Sequence, residues 1–147
     1  MPCGRERLQG LRDGLQSRGY TLDDQYVRLG QSTRADGYAM TDRLLDEKQL
    51  SDAIVCANNY IALGCVAAIQ ERGMGIPDDV GVLTFDDYPF SRFTEPQLTV
   101  VDIDVRDLGI LAGKHLVEII RHPTLQVQTN VTASIIIERQ STRHKQT

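Results

Sequence analysis

The 147-residue chain contains no tryptophan, and aromatic residues make up only 5% of it. It has no apolar run of membrane-spanning length, which excludes a transmembrane helix. Its first seven residues carry no apolar stretch of the kind found in secretory signal peptides. From these absences we expect a cytoplasmic protein with no membrane partner.

An excess of positive charge is absent as well. The chain has 16 Lys and Arg residues against 20 Asp and Glu residues, which gives a net charge of −4, and its isoelectric point is about 5.3. A general nucleic-acid surface requires a basic patch, so this balance argues against one. The hydrophobic fraction of 41% and the charged fraction of 24% are ordinary for a globular protein, and 147 residues suit one domain or one lobe of a larger one.

The three cysteines, Cys3, Cys56 and Cys65, show neither CxxC spacing nor a neighbouring histidine cluster. The pattern therefore predicts no zinc or other metal site. Cys56 falls in an apolar strand and Cys65 in an apolar helix, where each is expected to act as a small buried hydrophobe. We expect reduced thiols and no disulfide framework.

Motifs that mark common enzyme sites are also missing. There is no GxSxG, no P-loop and no GxGxxG. The neighbouring acids Asp86 and Asp87 could imitate an acid–base pair, but adjacent residues of a strand point to opposite faces. The sequence therefore predicts neither catalysis nor a cofactor.

Helix and strand patterns alternate along the first part of the chain. Leucines at positions 8, 11 and 15 form the apolar stripe of a helix, and continuous apolar runs predict strands that are covered on both faces. The predicted helices span residues 5–18, 33–47 (capped by Ser32 or Thr33) and 60–72, and the predicted strands span 26–29, 52–57 and 80–85. This order predicts an α/β fold with a doubly wound parallel sheet.

The second part of the chain begins with a loop at 88–97. It continues with a strand at 98–103, a helix at 105–121 and a β-prone stretch at 131–138. The helix has an apolar side made of Leu108, Leu111, Leu116 and Ile120. The polar tail from residue 139 to 147 is expected to fray.

The run from residue 71 to 87, ERGMGIPDDVGVLTFDD, places two carboxylates where a buried strand ends. In an open α/β sheet, ligands bind in the crevice beyond the carboxyl ends of the strands. A carboxylate accepts hydrogen bonds from hydroxyl groups. The sequence therefore predicts that Asp86 binds a ligand, with an ordinary Asx turn as the alternative, and that Asp87 is structural.

The same run resembles a segment of the lactose-repressor/galactose-repressor (LacI/GalR) family of bacterial transcriptional regulators. Members read helix, Gly, apolar, Ile-Pro-x-Asp, strand and Gly-Phe-Asp-Asp here, and Thr84 stands where the glycine is common. Three further blocks agree in order and spacing: RERLQG at 5–10, AIVCANNYIALG at 53–64, and PQLTVV at 96–101 together with ERQST at 138–142. The resemblance extends from about residue 5 to residue 143.

The resemblance implies a two-lobed effector domain of the type I periplasmic-binding-protein class, of which this chain holds mainly the second lobe. Residues 1–87 and 130–143 would form that lobe, the strand and helix at 98–122 belong to the first lobe in the family, and 144–147 form a tail. The helix-turn-helix domain and most of the first lobe are expected to be absent. The helix at 105–121 is then expected to pack elsewhere, to swap between chains, or to expose an apolar patch.

The resemblance also implies an effector-binding set made of Arg7, Asn58, Asp86 and Ser32. Arg7 would contact effector hydroxyls or carboxylates through its planar fork, with a solvated helix arginine as the alternative. Asn58 would contact the effector, cap the following helix, or do both. Ser32, or Gln31 beside it, occupies the region where many members place an aromatic ring, so that stacking surface is missing. Asn59 stands where most members have Asp, which removes a charge from the cleft.

The implied function is effector sensing in a DNA-binding transcriptional regulator. A sugar or related small polar ligand would bridge the two lobes, and their closure would control operator binding. This chain would supply half of the cleft, so we expect weak effector affinity, and operator DNA would be bound only through the missing helix-turn-helix domain. We expect a homodimer or a mixed dimer with an intact regulator.

Three alternatives remain open from the sequence. One is a freestanding sugar-binding module of the periplasmic class, and another is a regulatory remnant that dimerises with an intact paralogue. The third is a small Rossmann- or flavodoxin-like enzyme, although the loop GQSTRADG at 30–37 has its glycines in the wrong order for a phosphate-binding turn. The effector itself stays open among a hexose, a pentose, a purine and a sugar phosphate.

Overall fold

The computed structural model describes residues 2–47, 52–124 and 133–143. Within these ranges, four strands form one sheet in the order β1-β2-β3-β4. The strands are β1 (Ala53–Val55), β2 (Gly81–Phe85), β3 (Thr99–Ile103) and β4 (Ser134–Ile137). β1, β2 and β3 run parallel, and β4 pairs antiparallel with β3. The predicted α/β class and parallel sheet are therefore confirmed for β1, β2 and β3, and β4 adds an antiparallel strand at one edge.

Three of the four α-helices among the described residues begin after a side chain that caps them. The four helices are α1 (Pro2–Gln16), α2 (Arg34–Asp46), α3 (Asn59–Glu71) and α4 (Val105–Arg121). The Thr33 hydroxyl accepts from the Asp36 amide at 3.1 Å at the start of α2, and the Asp104 carboxylate accepts from two amides at 2.9 Å at the start of α4. Such caps satisfy amides that have no partner within the helix.

The core lies between α3 and the sheet. Cys65 and Ile69 of α3 are fully buried, as are Val82 of β2 and Val100 of β3. α2 covers α3 at such close range that a Cβ atom added at Gly64 would lie 2.1 Å from the Arg34 carbonyl oxygen. The two helices therefore depend on glycine at their crossing, because no other residue leaves room for the neighbouring backbone.

The predicted strand at 26–29 is wrong. A short 3-10 helix occupies Asp24–Tyr26, and the Asp23 carboxylate accepts from the Gln25 amide at 3.0 Å. Leu29 is 86% exposed. Aspartates that hydrogen-bond nearby amides offer the backbone an alternative to strand pairing, and here that local alternative prevails.

The predicted fraying of the tail is wrong for residues 139–143. Ser141 is fully buried, and its hydroxyl donates to the Val82 carbonyl at 2.5 Å and accepts from the Thr99 amide at 2.8 Å. A 3-10 helix over Gln140–Thr142 therefore closes over β2 and β3. Residues 144–147 lie outside the described residues.

α4 and β4 carry exposed apolar side chains on more than one side, and these side chains are called here collectively the α4–β4 face. α4 has no buried residue. The exposed apolar side chains of this face are Val105, Leu108, Ile110, Leu116, Val117, Ile120, Ile135 and Ile136. In this single chain the apolar side chains of α4 are exposed, which is one of the three outcomes expected for this helix, and exchange between chains stays a prediction.

β3 and α4 differ in where they bury their side chains. The division implied by the resemblance assigns both to the first lobe. In the structure, Leu98 and Val100 are completely buried in the core beside β2, whereas α4 lies outside that core.

No helix among the described residues is long and apolar enough to cross a bilayer.

Candidate functional site

An ion pair between Arg7 and Asp86 lies at the carboxyl ends of β1 and β2. Nη2 of Arg7 is 3.2 Å from both Asp86 carboxylate oxygens, and Nη1 donates to the Ala57 carbonyl at 2.6 Å. The guanidinium carbon also stands 4.5 Å from the centre of the Phe85 ring, in the geometry of a cation–π contact. The structure therefore brings together two of the predicted site residues, which are 79 positions apart in the chain.

Asp86 adopts an unusual backbone conformation. It follows β2 directly and has a φ of +69°, a left-handed value that is uncommon outside glycine. Its amide donates to the Val101 carbonyl of β3 at 2.8 Å. Its side chain is 40% exposed while that of Arg7 is 20% exposed. The carboxylate is thus accessible, and its lone pairs can accept hydrogen bonds in addition to those from Arg7.

Asn58 lies between β1 and α3, one residue after the Ala57 carbonyl that Arg7 binds. Its Oδ1 accepts from the Ile61 amide at 3.0 Å and caps α3, as one of its two predicted roles requires. Within the described ranges, its Nδ2 donates to no protein acceptor. The half-buried amide group is therefore able to cap the helix and to donate to a ligand at once.

Asn59 is the residue whose role the sequence analysis missed. It is 1% exposed, and its Nδ2 donates at 2.7 Å to the carbonyls of both Phe85 and Asp86. Its Oδ1 accepts from the Ser91 hydroxyl at 2.8 Å. From the sequence, Asn59 was notable only as a lost charge, although its place in the first turn of α3 beside the strand ends was a usable signal.

Ser32 is exposed and immediately precedes the Thr33 cap of α2. None of the hydrogen bonds of the described residues joins it to Arg7, Asn58 or Asp86. Its place in an effector site stays a prediction.

Aromatic rings do lie near the strand ends, but they come from other positions. Tyr88 stacks on Phe90 with a centroid distance of 5.7 Å, and Tyr60 approaches Phe90 at 6.3 Å. Tyr60 and Tyr88 are about half exposed. Because Tyr60 follows Asn59 and Tyr88 follows Asp87, these rings flank the segments that carry the candidate site residues.

Asp87 is held away from Arg7 by a separate set of contacts. Its Oδ2 accepts from Arg139 at 2.8 Å and from Arg92 at 3.0 Å, and its side chain is 6% exposed. The hydrogen bond from Arg139 lowers the pKa of Asp87, against the opposing effect of burial, and Arg92 adds to the lowering. Arg139 also donates to the Leu98 carbonyl at 2.9 Å. Asp87 thus joins β2 to the C-terminal segment, in agreement with its predicted structural role.

The described residues show no group of three or more His, Cys, Asp or Glu side chains that could hold a metal ion. Cys56 and Cys65 are free thiols buried in the core, whereas Cys3 is exposed. A hydrogen bond with Cys65, together with burial, raises the pKa of the Cys56 thiol. Cys56 therefore stays protonated at neutral pH and is not a ready nucleophile.

Residues 2–142 match the family profile of the periplasmic binding protein-like domain. The chain belongs to this family, in its LacI/GalR branch of transcriptional regulators. The resemblance drawn from the sequence motifs is thereby confirmed.

Named relatives support this membership. The HTH-type transcriptional repressor PurR of Haemophilus influenzae (strain PittEE) is 32% identical over 139 residues, which cover 92% of this chain and 41% of PurR. A LacI-family transcriptional regulator from Sanguibacter keddieii superposes with a TM-score of 0.86 at 31% identity, over 92% of this chain and 52% of that structure. The complex of the regulator CelR with cellobiose superposes with a TM-score of 0.85 at 29% identity, over 92% of this chain and 42% of CelR.

The chain spans less than half the length of PurR and CelR and about half of the Sanguibacter structure. The relatives are LacI-family transcriptional regulators, and one of them is a complex with a disaccharide.

Proposed function

We propose that this chain is the effector-sensing part of a LacI/GalR-type transcriptional regulator. A small polyhydroxylated ligand would bind beyond the carboxyl ends of β1 and β2, in contact with Arg7, Asn58 and Asp86. The observation that carries this proposal is the Arg7–Asp86 pair at the strand ends, where parallel α/β sheets bind ligands.

The chemistry of the pair fits hydroxyl groups. The Asp86 carboxylate accepts hydrogen bonds, whereas the Arg7 guanidinium and the Asn58 amide nitrogen donate them. Because the charges of Arg7 and Asp86 cancel, a neutral ligand with neighbouring hydroxyls would bind without an unpaired charge. The complex of the relative CelR with cellobiose supports this class of ligand. Ser32 would be a further effector contact.

Coupling to DNA would follow from closure of two lobes around the ligand. The exposed apolar side chains of α4 and β4 support this mechanism, because a second lobe would cover them. We infer that β1, β2 and β3, with α1, α2 and α3, form one lobe, and that α4 joins the other. Operator binding would require a helix-turn-helix domain in addition to the residues of this chain. The proposed assembly is a homodimer or a mixed dimer with an intact regulator.

The test compares two arginines on the same helix. Wild type, Arg7→Gln and Arg5→Gln would be titrated with cellobiose, ribose and glucose, each up to millimolar concentration, and followed by amide chemical shifts. We expect weak binding that shifts residues 57–59 and 85–87. Arg7→Gln should weaken it about 10-fold or more, since hydrogen bonds to charged groups are worth about 1.5–3 kcal/mol.

Arg5 is exposed and serves as the matched control, so Arg5→Gln should leave the affinity within about 2-fold of wild type. Shifts that map to other surfaces, or equal losses in both variants, would count against the proposed site. If none of the three sugars binds, the proposal that the ligand is a sugar is rejected.

A further inference from the structure

We propose that Asn59 is a positioning residue, which holds Asp86 in the left-handed backbone conformation that presents its carboxylate to the ligand. The ligand-facing role of Asp86 rests on the proposed function. The hydrogen-bond network behind Asp86 does not, because it is formed entirely within the protein.

The first argument is the geometry of the Asn59 amide. The amide nitrogen Nδ2 of Asn59 carries two hydrogens. It donates one to the Phe85 carbonyl and one to the Asp86 carbonyl, each at a nitrogen–oxygen distance of 2.7 Å. The carbons of these two carbonyls are the first and last atoms of the Asp86 φ torsion, which is +69°. Aspartate adopts a left-handed angle more readily than most residues, but the conformation still costs free energy, and contacts with its surroundings stabilise it. The two hydrogen bonds from the Asn59 amide stabilise this conformation of Asp86.

The second argument is that these two hydrogen bonds require an amide side chain at position 59. An Asp at this position would accept hydrogen bonds but donate none when ionised. It would therefore place a carboxylate oxygen against two carbonyl oxygens in a buried site.

The third argument is that Asn59 is itself fixed. Its Oδ1 accepts from the Ser91 hydroxyl at 2.8 Å, and Ser91 is fully buried. The Ser91 carbonyl in turn accepts from the Leu98 amide at 3.0 Å, next to β3. The amide nitrogen thus cannot rotate away without breaking a buried hydrogen bond. One side chain thereby joins α3, the end of β2 and the segment that leads to β3.

The experiment measures amide hydrogen exchange by NMR in wild type, Asn59→Asp and Asn58→Asp. The reporters are the Asp86 amide, which donates to Val101 at 2.8 Å, and the Tyr88 amide, which donates to the Asp86 carbonyl at 3.1 Å. The reference is the Cys56 amide, which donates to Leu83 at 2.8 Å in the same sheet. In Asn59→Asp, we expect protection of both reporters to fall about 10-fold or more at pH 7, with the reference nearly unchanged.

Asn58→Asp is the matched control, because it adds the same charge one position away and keeps the acceptor that caps α3. Its Asp86 and Tyr88 protection should stay within about 2-fold of wild type. Lowering the pH should restore part of the protection in Asn59→Asp, since a protonated carboxyl regains one donor. A purely structural residue would instead lower the protection of the reference amide equally, and that outcome would overturn the proposal.

If Asn59→Asp does not fold, Ser91→Ala provides the second variant. It removes the hydroxyl that fixes Oδ1 and leaves both donors of Asn59 in place. A fall of about 3-fold or more in Asp86 protection supports the proposal, whereas unchanged protection contradicts it. If no sugar binds but hydrogen exchange changes as expected, the proposed sugar ligand is rejected and the positioning role of Asn59 stands. The two proposals can therefore fail separately.

Discussion

α3 and α4 are two helices of one chain with opposite environments. Seven of the 13 residues of α3 are buried, from Asn59 to Ile69, whereas none of the 17 residues of α4 is buried. α3 is apolar nearly all round, which is typical of a helix enclosed by its neighbours, and α4 has an apolar stripe opposite a polar side. The comparison teaches that an apolar stripe predicts a partner surface but does not supply one.

The largest effect is expected where α3 meets α2. Gly64→Ala would place a Cβ atom 2.1 Å from the Arg34 carbonyl oxygen, so the helices must separate. We expect a loss of about 3 kcal/mol or more in the free energy of unfolding, measured by urea denaturation followed by circular dichroism.

Gly113 of α4 is the matched control, because nothing lies within 4 Å of a Cβ atom built there. Gly113→Ala should stabilise the protein slightly, by up to about 1 kcal/mol, through helix propensity. Similar losses in both variants would show that α4 is as enclosed as α3 and would break the comparison.

A smaller effect is expected at the carboxylate that joins β2 to the C-terminal segment. Asp87→Asn removes the charge that binds Arg139 and Arg92, and we expect a loss of about 1–3 kcal/mol in unfolding free energy at pH 7. On α4, the Glu118 carboxylate lies 3.6 Å from Nδ1 of His115 in an exposed position, so Glu118→Gln should change stability by less than about 0.5 kcal/mol.

The contribution of Asp87 should depend on pH with a defined sign. Because the folded protein lowers the pKa of Asp87, its stabilisation is fully present above the ordinary aspartate pKa of about 3.9. It is lost as the pH falls through the lower pKa of the folded state. The difference between wild type and Asp87→Asn should therefore shrink between pH 5 and pH 2, and a difference independent of pH would contradict the assignment.

The smallest effect on stability is expected on the α4–β4 face. Leu116 is 60% and Ile120 is 68% exposed, so the double change Leu116→Lys and Ile120→Lys should alter the unfolding free energy by no more than about 0.5 kcal/mol. It should reduce self-association in sedimentation velocity, because the apolar patch is interrupted. A loss above about 2 kcal/mol would show that this surface is covered within the chain.

Local signals explain where the sequence analysis was accurate. The helix at 105–121 was predicted with the bounds that the structure shows, because Asp104 caps its start and His122-Pro123 follows its end. The strand at 26–29 was wrong, because a strand requires a neighbouring strand that local sequence does not reveal.

In the candidate site, too, local features could be predicted from the sequence and contacts between distant residues could not. The sequence located Asp86 at a strand end and Asn58 at a helix start, both of which are local features. The 3.2 Å contact between Arg7 and Asp86 is visible only in the fold. The network of Asn59 was missed because its partners, Phe85, Asp86 and Ser91, come from distant parts of the chain.

The sequence by itself determined the α/β class, the order of most helices and strands, and the position of Asp86 at the end of a strand. These features depend on residue periodicity and on caps within a few positions of each other. Only the tertiary structure decided that α3 is enclosed and α4 exposed, that Asp87 binds Arg139, and that Asn59 holds the backbone of Asp86. These outcomes depend on which surfaces meet across the fold, and that is a property of packing between distant segments.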